Sequence, residues 1–79
     1  MALKELISTI ARALVDDPDS VQVTEIEGDH NSLIELKVAK GDVGKVIGKS
    51  GRVVSAIRCV VSAVAAKSRE KAYVKIVTD

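Results

Sequence analysis

The chain has 79 residues, a length that suits one domain with a single core. Its apolar residues, 47% of the total, are almost all Val, Ile, Leu and Ala, and this content excludes an intrinsically disordered chain. The net charge of +1 conceals an asymmetry, because residues 1–39 hold three basic and eight acidic residues whereas residues 40–75 hold nine basic and two acidic ones. This division predicts a basic surface for a polyanion on an otherwise acidic protein.

Three features favour a cytoplasmic protein with no membrane association. Cys59 is the only cysteine, which excludes an internal disulfide and a cysteine-based metal cluster and fits a reducing compartment. Charges at Lys4 and Glu5 interrupt the N-terminus before an apolar run reaches the length of a signal peptide. The longest apolar stretch, residues 53–66, contains Arg58 and falls short of the roughly 20 residues that a spanning helix needs.

The first half of the chain predicts a helix followed by a β-hairpin. Apolar residues recur at steps of three and four over residues 3–15, which is one helical stripe, and the acidic turn before and after Pro18 ends it. Residues 21–27 and 33–39 are rich in β-branched or alternating apolar residues and are predicted to be strands. Turn-forming residues at 28–32 lie between them, so we expect antiparallel pairing.

The second half predicts two helices and a last strand. Asp42 is a good N-cap for a short helix that ends at Gly48. A longer helix should begin near residues 51–52 and run to about residue 68, with this apolar stripe: Val53, Ala56, Ile57, Val60, Ala63 and Val64. After a charged turn, residues 72–78 alternate as a strand.

The predicted order is therefore α-β-β-α-α-β in one α+β domain covering residues 1–79. The two helices between the second and third strands form a crossover, so those strands should be parallel. We expect a three-stranded mixed sheet with all three helices packed on one face.

Residues 41–54, GDVGKVIGKSGRVV, could bind phosphate in two ways. A nucleotide-binding P-loop has the pattern G-x-x-x-x-G-K-[ST] and follows a strand directly, but the position five residues before Gly48 is Val43, and residues 43–47 have helical spacing. The other interpretation is a GxxG loop from Gly48 to Gly51 between two helices. Its glycines permit a sharp reversal and close approach of a sugar-phosphate backbone, and the following helix N-terminus favours an anion.

The segment Val46-Ile47-Gly48-Lys49-Ser50-Gly51-Arg52 resembles the V-I-G-x-x-G-[KR] signature of KH domains, and the element order is similar to the type II arrangement. The resemblance covers the whole chain and is to small bacterial proteins made of one such domain. It implies a non-catalytic protein, an RNA chaperone or post-transcriptional regulator, that needs no cofactor and grips about four nucleotides of single-stranded RNA.

The resemblance also implies which residues contact RNA. The backbone contact would come from Gly48, Lys49, Ser50 and Gly51, with added positive charge from Lys45, Lys49 and Arg52. One wall of the base groove would be formed by Gly44, Val46 and Ile47, and the opposite wall by Ile34, Leu36 or Val38 of the second strand.

The alternative function is protein interaction, with RNA binding secondary. The apolar stripe of the long helix is wider than one buried face needs, so Val54 and Val61, seven residues apart, could face a partner with Arg58 beside them. This predicts a homodimer, or pairing with another KH-containing protein as the resemblance implies.

Other polar and aromatic residues give no sign of catalysis or metal binding. His30 falls in the hairpin turn and Cys59 within the long helix, and neither has a partner in the sequence. Ser50 lacks the histidine and aspartate that would activate it. Tyr73, the only aromatic residue, is expected to pack or cover a sheet edge, with an RNA contact as the alternative.

Overall fold

The computed structural model describes residues 3–78, and the order α-β-β-α-α-β is confirmed. Residues 1, 2 and 79 of the predicted domain lie outside the described residues. Three single 3₁₀ turns join the longer elements, at Pro18–Ser20, Lys40–Asp42 and Lys49–Gly51. The elements in chain order are α1 (Leu3–Leu14), β1 (Gln22–Gly28), β2 (Asn31–Val38), α2 (Val43–Ile47), α3 (Arg52–Lys67) and β3 (Lys71–Thr78).

The three strands form one mixed sheet in the order β1-β2-β3. β1 and β2 pair antiparallel, and β2 and β3 pair parallel, as the crossover predicts. The hairpin turn is only Asp29–His30, shorter than the predicted turn, because Gly28 pairs with Asn31 and continues the ladder. Within residues 3–78, no helix combines the length and the apolar character that crossing a bilayer requires.

All three helices cover the same face of the sheet, and the core lies between the two layers. The largest fully buried side chains are Ile34, Leu36 and Val38 of β2, together with Ile7 of α1, Val46 of α2 and Val61 of α3. Burying each such side chain contributes about 1.5–3 kcal/mol. Every second residue of β2 is buried, and the residues between them face the side of the sheet that carries no helix.

Helix α3 is rotated relative to the sequence prediction. Its buried residues are Val54, Ile57, Val61 and Ala65, whereas Val60 is 44% exposed and Ala56 and Ala63 are exposed. The predicted outward position of Val54 and Val61 is therefore wrong. Valines occupy adjacent pairs of positions along this helix, so the apolar pattern alone fits two rotations, and packing against the sheet selects one.

Candidate nucleic-acid interface

Gly48 ends α2 in a backbone conformation that only glycine adopts readily. Its φ of 77° and ψ of 173° lie outside the regions open to other residues, and its amide donates a hydrogen bond to the Gly44 carbonyl at 2.8 Å. A Cβ at this position would lie 2.8 Å from the Cβ of Val53 and 2.9 Å from its backbone nitrogen. The first glycine of the loop is therefore required by the fold.

Ser50 and Gly51 turn the chain into α3 through two successive left-handed residues, with φ of 58° and 71°. A Cβ at Gly51 would meet no atom within 4 Å, so the space beside this glycine is open. Gly51 also occupies the N-cap position of α3, where no side chain caps the first amides. The loop thus presents open backbone at the positive end of a 16-residue helix.

The side chains at the tip of the loop are exposed, and the charged side chains there are basic. Lys49 and Ser50 lie at the tip, and Arg52 begins α3 as an exposed residue. The sequence has no acidic residue between Asp42 and Glu70. A phosphate at the loop would therefore meet cationic side chains without a nearby carboxylate from α3.

Lys45, predicted to add charge for RNA, is held by two carboxylates. Its Nζ lies 2.8 Å from Oδ2 of Asp16 and 3.2 Å from Oδ1 of Asp42. The hydrogen bond to Asp16 and, to a smaller extent, the one to Asp42 raise the pKa of Lys45, whereas desolvation of its ammonium group acts to lower it. Lys45 is thus a charged group already paired within the chain.

Asp42 does not cap α2 with its side chain, contrary to the sequence prediction. The carboxylate is buried and accepts hydrogen bonds from the backbone amides of Asp16 and Asp17 at 3.2 and 3.1 Å, beside its contact with Lys45. Burial on its own would raise the pKa of Asp42, but these hydrogen bonds outweigh it and hold the pKa below the usual 3.8. This residue joins the end of α1 to the start of α2.

The predicted groove residues divide into accessible and buried positions. Gly44 is exposed, with no atom within 4 Å of where its Cβ would be, and Ile47 is half-buried beside it. Val46 is fully buried, so its prediction as a groove residue is wrong. The opposite wall is also wrong, because Ile34, Leu36 and Val38 are fully buried between the sheet and the helices.

The predicted dimer residues do not form a common surface. Val54 and Val61 are buried, and Arg58 donates from Nε and Nη2 to the Val74 carbonyl of β3 at 3.4 and 3.3 Å. Arg58 therefore contacts the sheet, and it points to the other side of α3 from Val60, since two helical residues differ by about 200°.

An apolar groove between α1 and α3, which we call the α1/α3 groove, was missed by the sequence analysis. Leu14 is 37% exposed and Val60 44% exposed within it, and Arg52 stands at its border. The sequence does contain its signal, because Ile10 and Leu14 are four residues apart and Val53, Ala56 and Val60 have i, i+3, i+7 spacing. The sequence prediction assigned these residues to the core. The apolar residues lining the groove are Ile10, Leu14, Val53, Ala56, Ile57 and Val60.

Cys59 and His30, the other residue types that could take part in catalysis or metal binding, lie on different elements. Cys59 is an exposed free thiol on α3, and His30 is exposed in the hairpin turn with φ of 62°. Over residues 3–78, no three His, Cys, Asp or Glu side chains gather in a way that could hold a metal ion.

Comparison with known proteins identifies close relatives over nearly the whole chain. Residues 4–76 match the family model described as KhpA/KhpB, KH domain. The chain is 55% identical over 73 residues to RNA-binding protein KhpA of Caldanaerobacter subterraneus subsp. tengcongensis, covering 92% of this chain and 97% of that protein. It is 51% identical to RNA-binding protein KhpA of Clostridium acetobutylicum, covering 95% and 100%. A relative of the same name in Aquifex aeolicus is 43% identical, covering 95% of each chain.

Replacement of Asp42 by Asn should destabilise the fold, because two backbone amides and Lys45 lose a carboxylate partner. Since the folded-state pKa of Asp42 is below its unfolded value near 3.8, this stabilisation is complete above about pH 5, declines as the pH falls through the unfolded pKa, and is lost below the folded pKa. We expect Asp42→Asn to lower the urea midpoint at neutral pH, and the difference from wild type to narrow in acid.

Urea unfolding followed by circular dichroism at several pH values measures this effect. Asp19→Asn is the matched control, because Asp19 is an exposed acid in the same turn and takes no part in the network. Equal midpoints for Asp42→Asn and wild type at neutral pH would show that the network does not stabilise the protein.

Proposed function

The chain belongs to the KhpA/KhpB KH-domain family, and from this premise we propose that it binds single-stranded RNA through the loop Gly48–Gly51. The family description and the names of the relatives denote an RNA-binding domain and not an enzyme. The observation that carries the proposal is the loop itself, in which two glycines with positive φ flank an exposed Lys49-Ser50 tip at the start of α3.

Gly44 and Gly51, which have open space where a Cβ would be, support close approach of a sugar-phosphate backbone. Gly51 needs its positive φ, but neither Gly51 nor Gly44 needs the absence of a Cβ to avoid a clash within the chain. Gly44 lies inside the short helix α2, where glycine costs about 0.5–1 kcal/mol relative to alanine. The fold alone does not require glycine at position 44. Space for a ligand beside the backbone is a physical reason for glycine there.

Phosphate contacts would come from Lys49, Arg52 and the amides at the start of α3, with Gly44 and Ile47 beside the bases. Lys45 would add a contact only by leaving Asp16. A loop of this type contacts about four nucleotides. On this proposal residues 1–79 act as one KH domain in the cytoplasm, as an RNA chaperone or post-transcriptional regulator.

A second candidate function, self-association, is favoured by the α1/α3 groove. The lining of the groove is apolar, so a nucleobase placed there would leave its hydrogen-bonding edge unpaired at a cost in free energy. A second copy of the chain, with the same apolar groove, avoids that cost. Another KH-containing protein with a matching face would bind in the same way.

Lys49→Asp combined with Ser50→Asp should weaken RNA binding by at least about tenfold, or about 1.4 kcal/mol, because two carboxylates replace the phosphate-facing groups. The fold should persist, since both residues are exposed and Asp tolerates the left-handed conformation of Ser50. Fluorescence anisotropy of an unstructured, labelled oligoribonucleotide of about four nucleotides, the length that such a loop contacts, measures the affinity.

The chain contains its own matched control for this variant. Lys67→Asp with Ser68→Asp makes the same two substitutions at the exposed far end of α3, with the same change in net charge. Equal loss of affinity in the two variants would mean that net charge, and not the loop, determines binding.

Asp16→Asn should strengthen RNA binding, because it leaves Lys45 with one carboxylate partner in place of two. If Lys45 then contacts a phosphate, the slope of log affinity against log salt should steepen by about 0.7. Lys45→Gln should have little effect in wild type and should cancel the gain in the Asp16→Asn background. Asp19→Asn, which removes the same charge from the same turn, should not reproduce the steeper slope, and a matching change there would argue against exchange of Lys45.

Val60→Asp should abolish self-association, because it places a charge in the α1/α3 groove. Sedimentation equilibrium should show a concentration-dependent dimer for wild type and a monomer for this variant. Ser62→Asp, on the opposite side of α3, is the control and should still associate. A wild-type protein that stays monomeric at high micromolar concentration would rule out this candidate.

A further inference from the structure

The face of the sheet that carries no helix has an exposed row of apolar side chains. Ile26, Leu33 and Tyr73 occupy one register position across β1, β2 and β3. Ile26 is 53% exposed and Tyr73 56% exposed. The proposed loop contact and the α1/α3 groove both involve the helices, so neither accounts for this row.

Tyr73 lies between two lysines on the same face of the edge strand. Lys71 and Lys75 are two residues before and after it, which places the three side chains on one side of β3 at intervals of about 6.6 Å. Both lysines are exposed. The register partner of Lys75 is Glu35, the one carboxylate that the described strands carry on this face.

We propose that this face is a second RNA contact, in which Tyr73 stacks on a nucleobase while Lys71 and Lys75 contact the neighbouring phosphates. The inference rests on the proposed RNA binding and extends it beyond the nucleotides held by the loop. Aromatic side chains stack on unpaired bases of any sequence, and lysine binds phosphate as a point charge.

The chemistry of the face favours RNA over a protein partner. Lysine is depleted at the cores of protein interfaces, where the desolvation of an ammonium has to be compensated. Here lysines flank the single aromatic residue on both sides, which is the arrangement that an unstacked base and its two phosphates require. The apolar side chains of Leu33 and Ile26 continue the surface beside the ring.

The position of Tyr73 allows a single RNA strand to reach both contacts. Tyr73 and Lys71 also line a cleft of about 500 Å³ with Ser62 and Ala66 of α3 and with Arg69 and Glu70 of the turn before β3, so the ring lies where β3 meets the helical layer. Ser62 is ten residues along α3 from Arg52, or about 15 Å of helix. The second contact should therefore contribute only when the RNA extends beyond the nucleotides at the loop.

The experiment uses the fact that Tyr73 is the only aromatic residue in the chain. Its fluorescence therefore reports this site alone, without a variant. Titration of the full chain with oligouridylate about three times the length that a GxxG loop contacts should quench tyrosine emission, whereas a strand of about four nucleotides should bind without quenching. Anisotropy of a labelled strand measures binding in the same samples.

Two variants separate base stacking by the Tyr73 ring from the stability of β3. Tyr73→Phe keeps the ring and should bind the longer RNA within about twofold of wild type. Tyr73→Val removes the ring but introduces a β-branched side chain that suits a β-strand, and it should weaken binding of the longer RNA about tenfold. Neither should change the affinity for the short strand. Lys71→Gln with Lys75→Gln should reduce the salt slope for the longer strand by about 1.4, the value for two phosphate contacts.

The outcomes distinguish this inference from the proposed function. If neither strand binds, the proposed function fails and the inference fails with it. If both strands bind but emission is unchanged and Tyr73→Val binds the longer strand as wild type does, the loop contact stands and the sheet contact is refuted. If Tyr73→Val alters only sedimentation in the absence of RNA, the face serves protein association and the inference is refuted. If Lys71→Gln with Lys75→Gln causes only aggregation, the two lysines protect the sheet edge and do not bind phosphate.

Discussion

The arrangement of the loop depends on one buried carboxylate, that of Asp42. It accepts hydrogen bonds from the amides of Asp16 and Asp17, just after α1, and contacts Lys45 within α2, so the first helix and the short helix before the loop are fixed to each other. α2 has only five residues, too few to be stable as an isolated helix. Its position must come from such tertiary contacts and from the burial of Val46, and the direction of α2 decides where Gly48 begins the turn.

The same network pairs Lys45 with two carboxylates that reach its ammonium group from different sides. Asp16 is 83% exposed at its side chain and reaches Lys45 from outside, whereas Asp42 reaches it from within the fold. Lys49 and Arg52 have no comparable carboxylate close by in the sequence. The basic half of the chain therefore contains two kinds of cation, one used to connect helices and the other exposed to solvent at the loop.

How far the sequence predicted the structure depended on whether the decisive contact was local. The stripe of α1 and the glycine pattern at Gly48 and Gly51 are local signals, and both indicated the correct element. The rotation of α3 was not predictable from its valines, which are paired along the helix. The prediction therefore placed Val54 and Val61 outward, whereas Val60 is the exposed valine. The contact of Asp42 with Asp16 joins residues 26 positions apart, so capping, the local alternative, was the natural but incorrect expectation.

The mixed pairing of β2 has a consequence for how the protein acquires its fold. The β1–β2 hairpin closes over a two-residue turn, whereas β3 can pair with β2 only after the whole segment containing α2 and α3 has been placed across the sheet. Contacts between residues distant in sequence form late, because the entropy of closing the intervening chain has to be overcome first. The loop at Gly48–Gly51 lies within that crossover, so its geometry should arise with the last strand rather than with the hairpin. A chain that has lost its C-terminal strand would then lose the loop as well, even though every residue of the loop is still present.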